Sequence, residues 1–317
     1  MDTQAATSKT TDIRLRQLSY SSRLTLHACP RKFQLYKLNA VQEDDDGTSG
    51  DNTTFAFGHA VGQGIQSVLE EKSDDTIYFD IFRAWDSDLL SELPKKGKSF
   101  WLAVHAVDKF KALKKNGFLK GWKLAQYKGR PAAELSFIIK FPDGYTYKGF
   151  VDAVLVHEKT GEVMVLEVKT TGMRYVSAAS YKNSAQAVGY SIVLDALFPG
   201  LSSYTVKYMI YMTLQREFEV MDFKKDYLVR ALWIRELMLD IEIIKIYEKT
   251  NIYPMHGESC LNWGRECEYF NICTLNTATL TKPLEPKHEA RILHGIENEF
   301  EIKLELKDLI AAQLAKE

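Results

Sequence analysis

The pattern of hydrophobic and polar residues is clearest between Gly149 and Lys169, where it predicts two paired strands. Two apolar runs rich in β-branched residues, 149–156 and 163–168, flank a short polar connection that contains Gly161. Such runs around a polar turn are typical of a β-hairpin. Apolar residues occupy both faces of the strands, so we expect other elements to cover the hairpin on both sides.

Three charged residues, Asp152, Glu167 and Lys169, interrupt this apolar hairpin. Glu167 and Lys169 share a face because they are two residues apart on one strand. If the loop is Lys159–Thr160 or 158–161, Asp152 lies directly opposite Glu167, with Cβ atoms about 4.5–5.5 Å apart. Two carboxylates at that separation, beside an ammonium group, form an oxygen-rich site that suits Mg²⁺ or Mn²⁺. The alternative is a buried Lys–Glu ion pair with Asp152 at a strand end.

The other periodic segments predict helices and strands that alternate along the chain. Ser19 is placed to cap a helix that runs to about Leu38, with a break at Pro30. Further helices are predicted at 55–69, 76–93, 99–116, 181–197 and 225–249, and further strands at 122–127, 132–141, 204–215, 217–223 and 300–306. This alternation favours a single α/β core.

His59 lies beside the apolar stripe of the helix at 55–69, on the side that it shares with Gly62 and Gln66. Each glycine in a helix costs about 1 kcal/mol relative to alanine, so the glycines here indicate a close approach of the backbone to another group. Small neighbours make His59 a candidate imidazole ligand. The alternative is an ordinary surface histidine, which is the commoner case.

The four cysteines of the chain are Cys29 near the N-terminus and Cys260, Cys267 and Cys273 near the C-terminus. In a protein without an apparent secretion signal, cysteines indicate metal or cluster ligation before disulfides. The C-x6-C-x5-C spacing lacks the close pairs of most structural zinc sites and suits a 4Fe-4S cluster better. Zn²⁺ and free buried cysteines are the alternatives. A site built from all four would join the N-terminal helix to the C-terminal segment.

Composition excludes a membrane span and gives no sign of secretion. The chain has 317 residues, of which 45% are hydrophobic and 26% are charged, and it contains no run of 18 apolar residues. The segment 1–12 is polar and lacks the apolar region of a signal peptide. We therefore expect a cytoplasmic protein.

Charge is unevenly distributed along the chain. The segment 95–130 contains eleven Lys or Arg residues and one acid, a local charge of +10, whereas the whole chain has a formal charge of −1. Aromatic residues lie between these basic residues, a composition typical of a surface that holds phosphates and stacks bases. The alternative is a solvated lysine face over an aromatic stripe that faces the core.

The order of these motifs resembles the RecB-like branch of the PD-(D/E)XK nuclease superfamily, and most closely its iron-sulfur members, the CRISPR-associated exonucleases and the AddB nuclease domain. Tyr20-Ser21 through Cys29-Pro30-Arg31-Lys32-Phe33 is similar to the opening motif of that branch, Gly58-His59 to its histidine motif, Gly149-Phe150-Val151-Asp152 to G-x-x-D, Glu167-Val168-Lys169 to E-x-K, Gln186-x-x-x-Tyr190 to Q-x-x-x-Y, and Cys260, Cys267 and Cys273 to the closing cysteines. Glu134 stands where an upstream acid often occurs. Taken alone, Glu134, Gln186 and Tyr190 are ordinary polar strand and helix positions.

The resemblance implies a restriction-endonuclease-like α/β fold, with a mixed central sheet flanked by helices, an N-terminal helical part, and a four-cysteine site that joins the two ends. It implies this division of the chain: a flexible N-terminus at 1–17, one nuclease domain at 18–275 with a helical insertion at about 76–117 and a cluster segment at 260–273, and a C-terminal extension at 276–317.

The same resemblance implies a metal-dependent DNA nuclease, in particular an exonuclease acting on DNA ends or single strands in recombination, repair or DNA processing. His59, Asp152, Glu167 and the carbonyl of Val168 would hold Mg²⁺ or Mn²⁺. Lys169 would orient or deprotonate the attacking water. Gln186 and Tyr190 would place the DNA backbone, and the four cysteines would hold the cluster.

DNA is the expected partner, with the segment 95–130 as the candidate contact surface. A second copy of the chain, or a helicase or recombination protein, would be a further partner. Two alternatives on the same fold are a non-catalytic DNA-binding or assembly subunit and a structure-specific endonuclease.

Overall fold

The computed structural model describes residues 12–40, 52–85, 97–201, 203–262, 264–280 and 301–314. The described helices are α1 (Tyr20–Ala28), α2 (Pro30–Lys37), α3 (Asn52–Leu69), α4 (Asp74–Ala84), α5 (Phe100–Lys115), α6 (Ala179–Lys182), α7 (Ala185–Leu197), α8 (Tyr227–Thr250), α9 (Thr277–Leu280) and α10 (Leu306–Leu314). The described strands are β1 (Gln17–Leu18), β2 (Trp122–Leu124), β3 (Gln126–Tyr127), β4 (Arg130–Pro131), β5 (Ala133–Lys140), β6 (Thr146–His157), β7 (Val163–Thr171), β8 (Ser203–Met212), β9 (Glu217–Asp226), β10 (Leu261–Asn262), β11 (Arg265–Glu266) and β12 (Ile302–Glu305).

Eight of the described strands form one mixed sheet. Their order is β12-β5-β6-β7-β8-β9, and β1 and β2 also pair with β6. The predicted hairpin is confirmed as β6 and β7, which are antiparallel with Val156 opposite Val163. β7 and β8 are parallel, so the chain crosses over between them through α6 and α7, as parallel neighbours require. The fold is a mixed central sheet flanked by helices, as the sequence predicts for a restriction-endonuclease-like core.

The chain divides into two compact units. The first unit comprises 1–46, 138–149 and 234–311, and the second comprises 47–137, 150–233 and 312–317. The charged hairpin residues Asp152, Glu167 and Lys169 lie in the second unit, and the four cysteines lie in the first. None of the described helices combines the length and the apolar composition that crossing a membrane requires.

The core of the second unit packs α3, α4 and α5 against the sheet. Phe57 and Ile65 of α3 share one buried cluster with Ala153 and Leu166 of the hairpin. Gly64 explains part of the glycine content of α3, because an added Cβ there would lie 2.5 Å from a methyl group of Val107 and 2.8 Å from Cγ1 of Ile81. The close approach that the glycines of this helix predict is therefore confirmed at position 64.

The N-terminal helical part lies in the first unit and begins where the sequence predicts. The side chain of Ser19 accepts a hydrogen bond from the backbone N–H of Ser22 and caps α1. α1 ends at Ala28 and α2 begins at Pro30, because proline lacks the N–H that a continuous helix needs but fits the first turn of a new one. Cys29 is the residue between the two helices.

Several predicted elements differ from the structure. The helix predicted at 76–93 spans Asp74–Ala84, and 86–96 lie outside the described residues. The helix predicted at 181–197 is interrupted at Asn183 and Ser184, residue types with low helix propensity. The strand predicted at 122–127 is divided into β2 and β3. The hairpin is also not covered along its whole length, because Phe150 is 51% exposed.

Candidate active site

The two hairpin acids lie side by side at the end of the β6–β7 ladder. The last pair of that ladder is Ala153 opposite Leu166, so the next residues along the two strands are Asp152 and Glu167. Asp152 Oδ2 accepts a hydrogen bond of 2.9 Å from the backbone N–H of Val168. This bond fixes the Asp152 carboxyl group against the strand that carries the E-x-K motif.

Glu167 is fully buried, with 0% of its surface exposed. The ammonium nitrogen of Lys169 lies 2.5 Å from Glu167 Oε1, which makes an ion pair. Neither carboxylate oxygen of Glu167 accepts a hydrogen bond of normal geometry from the described residues. A buried carboxylate is costly unless cations or hydrogen-bond donors compensate it, so Glu167 keeps the capacity to bind a further cation.

The electrostatics of the hairpin follow from two acids that surround one lysine. Burial, followed by the negative charge of Glu167, raises the pKa of Asp152 well above its ordinary value, although Lys169 opposes this. Burial alone would lower the pKa of Lys169, but the charges of Glu167 and Asp152 outweigh it and raise that pKa. The raised pKa of Asp152 shows that two carboxylates beside one ammonium group do not ionise easily together, and a divalent cation would favour the ionised form of both.

Both residues of the Q-x-x-x-Y motif on α7 reach the hairpin. Lys169 Nζ donates a hydrogen bond of 3.1 Å to Gln186 Oε1. Tyr190 is buried, and its pKa is raised by burial and then by the charges of Glu167 and Asp152. The hydroxyl group of Tyr190 lies close enough to Glu167 for their interaction to contribute to this rise, although it makes no hydrogen bond of normal geometry with the described residues. α7 therefore brings one amide and one hydroxyl group to the charged part of the hairpin.

A cavity of about 10 Å³ borders Asp152 on the α3 side. Its polar walls are Gln66, Glu134 and Asp152, and Gly62 also borders it. This volume is at the lower limit for a single water-sized species. The side of α3 that carries Gly62 and Gln66 thus faces the candidate site.

Glu134 occupies an unusual backbone position at the start of β5, with φ = 47°. The residue is exposed at the surface, yet burial of its carboxyl group raises its pKa. His59 lowers that pKa and Glu167 raises it, so both lie within electrostatic range of Glu134.

His59 stands at the rim of this region. Its side chain is exposed, and Nδ1 lies 3.2 Å from the backbone oxygen of Ala84. Within the described ranges, no three or more His, Cys, Asp or Glu side chains are grouped in a way that could hold a metal ion. The predicted ligand set of His59, Asp152, Glu167 and the carbonyl of Val168 therefore stays a prediction.

Two tyrosines that sequence reasoning did not single out border Lys169. The rings of Tyr181 and Tyr208 lie 4.8 Å apart, and Tyr208 is opposite Glu167 in the parallel β7–β8 ladder. Burial raises the pKa of Tyr181, and the positive charge of Lys169 opposes that change. In the sequence both tyrosines resemble ordinary core aromatic residues, so no local signal distinguishes them.

The basic segment 95–130 is partly compensated in the structure. Four of its lysines form ion pairs with acids from other elements, namely Lys109 with Glu217, Lys111 with Asp74, Lys114 with Glu71 and Lys123 with Glu158. Phe110 is fully buried and Phe100 packs against the core. The segment 95–96 lies outside the described residues. The alternative of a solvated lysine face over a core-facing aromatic stripe fits Phe100 and Phe110, whereas Trp101 is exposed.

The four cysteines are free thiols in the first unit. Hydrogen bonds join the two ends of the chain next to them: Arg31 Nε donates to the backbone oxygen of Cys273 at 2.8 Å, and Ser259 Oγ donates to that of Ala28 at 2.6 Å. The pKa of Cys273 is raised by burial, lowered by Arg31, and raised again by the other three cysteines. The other three cysteines therefore lie within electrostatic range of Cys273. No three of these cysteines, all of which the structure describes, are grouped in a way that could hold a metal ion, so the four-cysteine site stays a prediction.

Comparison with known proteins assigns the family. The sequence model of the PD-(D/E)XK nuclease superfamily matches residues 17–274. Among solved structures, the chain is similar to a candidate exonuclease from Eubacterium rectale, with 12% identity, a TM-score of 0.47, and coverage of 93% of this chain and 100% of that chain. It is also similar to SSO0001, with 14% identity, a TM-score of 0.29, and coverage of 80% of this chain and 98% of that chain. No curated protein matches the sequence. Because the family match spans most of its length, the chain belongs to the PD-(D/E)XK nuclease superfamily.

Proposed function

We propose that the protein is a metal-dependent deoxyribonuclease, and specifically an exonuclease that hydrolyses phosphodiester bonds at DNA ends or in single strands. The observation that carries this proposal is the buried Glu167, which lies beside Asp152 and Lys169 and whose oxygens accept no hydrogen bond of normal geometry from the described residues. Family membership gives this arrangement its chemical context.

Asp152 and Glu167, together with His59 and the carbonyl of Val168, would hold Mg²⁺ or Mn²⁺, which polarises a phosphate and acidifies a bound water. Lys169 would act as a cationic donor, because the charges of Glu167 and Asp152 favour its ammonium form and raise its pKa. A protonated lysine at this position orients the attacking water and offsets the negative charge that develops on the phosphate. Gln186 holds the ammonium group of Lys169 and is a positioning residue.

The proposal is tested with end-labelled linear single-stranded DNA and with circular DNA, in the presence of Mg²⁺ or Mn²⁺. We expect the wild type to shorten the linear strand and to leave circles intact. Asp152→Ala and Lys169→Ala should each lower the rate at least about 10²-fold, because each removes a group that acts on the reacting atoms. Lys123→Ala is the matched control, since Lys123 pairs with Glu158 away from the hairpin acids.

Each variant is first checked for folding by circular dichroism. Undiminished cleavage by both Asp152→Ala and Lys169→Ala would remove the assignment of the site. Nicked circles would identify an endonuclease on the same fold. A wild type that binds DNA and never cleaves it would identify a non-catalytic DNA-binding or assembly subunit.

We also propose that Cys29, Cys260, Cys267 and Cys273 bind a 4Fe-4S cluster, with Zn²⁺ as the alternative occupant. Three features support this: the thiols are free, the other three cysteines influence the pKa of Cys273, and the side chains of Arg31 and Ser259 donate hydrogen bonds to backbone oxygens that join the two segments.

A further inference from the structure

Large aromatic side chains are exposed around the edge of the sheet where β7 and β8 end. Lys169 lies two residues before the end of β7, so this edge adjoins the candidate active site. Phe55 is 80% exposed, Trp101 is 76% exposed and Tyr175 is 77% exposed. A single exposed apolar residue is normal, but several around one edge indicate a binding surface.

Tyr175 belongs to the segment that follows β7, and hydrogen bonds hold this segment against the turn after β8. The backbone N–H of Thr213 donates to the oxygen of Thr171 at 2.9 Å. Gln215 Nε2 donates to the backbone oxygen of Arg174. The ring of Tyr175 is therefore presented from an anchored segment at the end of the strand that carries Lys169.

α3 brings Phe55 to the same edge. A Cβ at Gly58 would lie 3.7 Å from Thr170 Oγ1, so this turn of α3 passes close to the end of β7. Phe55 lies three residues before Gly58 and hence on the same side of the helix.

α5 brings Trp101 to the edge from another direction. His105 Nδ1 lies 2.9 Å from the hydroxyl oxygen of Tyr211, the penultimate residue of β8. Trp101 precedes His105 by four residues and shares its face of α5. A Cβ at Gly97, just before α5, would lie 3.8 Å from the backbone oxygen of Thr213.

Two arginines add positive charge to the same edge. Arg174 precedes Tyr175, and Arg216 lies in the turn between β8 and β9. Both are exposed, and neither forms an ion pair within the described part of the chain. This differs from α5, where Lys109 and Lys111 are each paired with an acid. Exposed rings together with uncompensated guanidinium groups are the chemistry that holds a flexible nucleic-acid strand.

We propose that this edge, defined by Phe55, Trp101, Arg174, Tyr175 and Arg216, binds unpaired bases of a DNA strand and selects single-stranded DNA or frayed ends. The inference rests on the proposed nuclease function. The rings stack on bases and the arginines contact phosphates. An unpaired base offers its face to a protein ring, whereas the faces of paired bases are covered by their neighbours in the duplex.

The test measures binding without hydrolysis, in buffer that contains EDTA. Fluorescence anisotropy gives the affinity for a labelled oligothymidylate, for an abasic strand of the same length, and for a blunt duplex. Trp101→Ala and Tyr175→Ala should each weaken binding of the oligothymidylate about tenfold, the loss expected for one base stack. Neither change should alter the weaker binding of the abasic strand. Phe79→Ala is the matched control, because Phe79 is an exposed phenylalanine on α4.

Equal affinity for the oligothymidylate and the abasic strand would overturn the inference, as would wild-type affinity in both ring variants. A dimer that dissociates in Trp101→Ala and Tyr175→Ala, measured by size-exclusion chromatography, would instead make this edge a contact between copies. Asp152→Ala separates the two proposals, because it should bind the oligothymidylate normally and fail to cleave it. If Asp152→Ala still cleaves DNA while the two ring variants bind the oligothymidylate more weakly than the wild type, only the proposed nuclease site is contradicted. If Asp152→Ala does not cleave DNA but the two ring variants bind the oligothymidylate as the wild type does, only the inference about this edge is contradicted.

Discussion

Lys169 determines how the acids of the hairpin behave. Its ammonium group contacts Glu167 and donates a hydrogen bond to Gln186, and its charge also opposes the raised pKa of Asp152. Because Glu167 is fully buried, removal of Lys169 leaves a carboxylate without its ion-pair partner. Lys169 is therefore both a catalytic residue in the proposed mechanism and a contributor to the stability of the site.

The raised pKa of Asp152 predicts that stability depends on pH when divalent cations are absent. Below about pH 4 the Asp152 carboxyl group is protonated in both the folded and the unfolded chain. As the pH rises, the unfolded chain releases this proton first, because the folded state holds it with a higher pKa. The free energy of unfolding should then fall by up to about 1.4 kcal/mol per pH unit, until the folded carboxyl group also ionises.

Urea denaturation at a series of pH values in EDTA measures this effect. The control is Asp152→Asn, which keeps the shape of the side chain but cannot ionise. We expect the difference in stability between Asp152→Asn and the wild type to grow in favour of the variant as the pH rises from about 4. A difference that is constant with pH would show that the folded state does not hold the Asp152 proton more tightly.

At the residue scale, sequence reasoning is most reliable where a fixed period links the residues. The adjacency of Asp152 and Glu167 follows from strand alternation and loop length, and the register confirms it. The contact between Lys169 and Gln186 depends on where the β7–β8 crossover places α7 in space. The hydrophobic pattern within one segment does not predict that position. The positive φ of Glu134 is likewise set by tertiary structure, since glutamate has no intrinsic preference for it.

At the scale of the element, α3 contains two glycines with opposite surroundings. A Cβ at Gly64 would meet buried side chains of α4 and α5, whereas a Cβ at Gly62 would meet nothing within 4 Å. Gly64→Ala should lower the free energy of unfolding by about 1–2 kcal/mol, because overpacking outweighs the gain in helix propensity. Gly62→Ala should raise it by up to about 1 kcal/mol.

Each variant serves as the control for the other, since both make the same chemical change in the same helix. Chemical denaturation of the two proteins under identical conditions gives the comparison. If Gly64→Ala were as stable as Gly62→Ala, the tight packing of α3 against Val107 and Ile81 would be wrong.

Caps and breaks determine how well helices are predicted. Ser19 and Ser99 accept hydrogen bonds from the first turns of α1 and α5, and both helices begin where those residues predict. The interruption at Asn183 is harder to predict, because the hydrophobic pattern continues through it into α7. A single polar residue in a periodic segment is usually tolerated by a helix, so the break becomes visible only in the structure.

At the scale of the whole molecule, charge that is concentrated in the sequence is partly paired in the structure, and unpaired charge comes together from distant segments. The lysines of α5 lie close together in sequence, but acids from α4, β9 and the loop after α3 compensate several of them. Arg174 and Arg216 are far apart in sequence and do not form a charged run. Hydrogen bonds that join their segments place both at one edge of the sheet.

The four cysteines give the last prediction, which concerns how the two ends of the chain are held together. Anaerobically purified wild type should show the broad visible absorbance of an iron-sulfur cluster, and Cys267→Ser should lose it. Leu261→Ala is the control, because Leu261 is an exposed residue next to Cys260 and should keep the absorbance. Because metal binding stabilises only the folded state, Cys267→Ser should also melt several degrees lower than the control.

The two measurements distinguish the possible occupants of this site. If the wild type is colourless and contains zinc, and if Cys267→Ser lowers the melting temperature, the four cysteines bind Zn²⁺ and not an iron-sulfur cluster. If the wild type contains no metal and Cys267→Ser melts at the same temperature, neither a cluster nor Zn²⁺ occupies the site. In that case the hydrogen bonds of Arg31 and Ser259 would hold the N-terminal helices to the C-terminal segment without a shared metal centre.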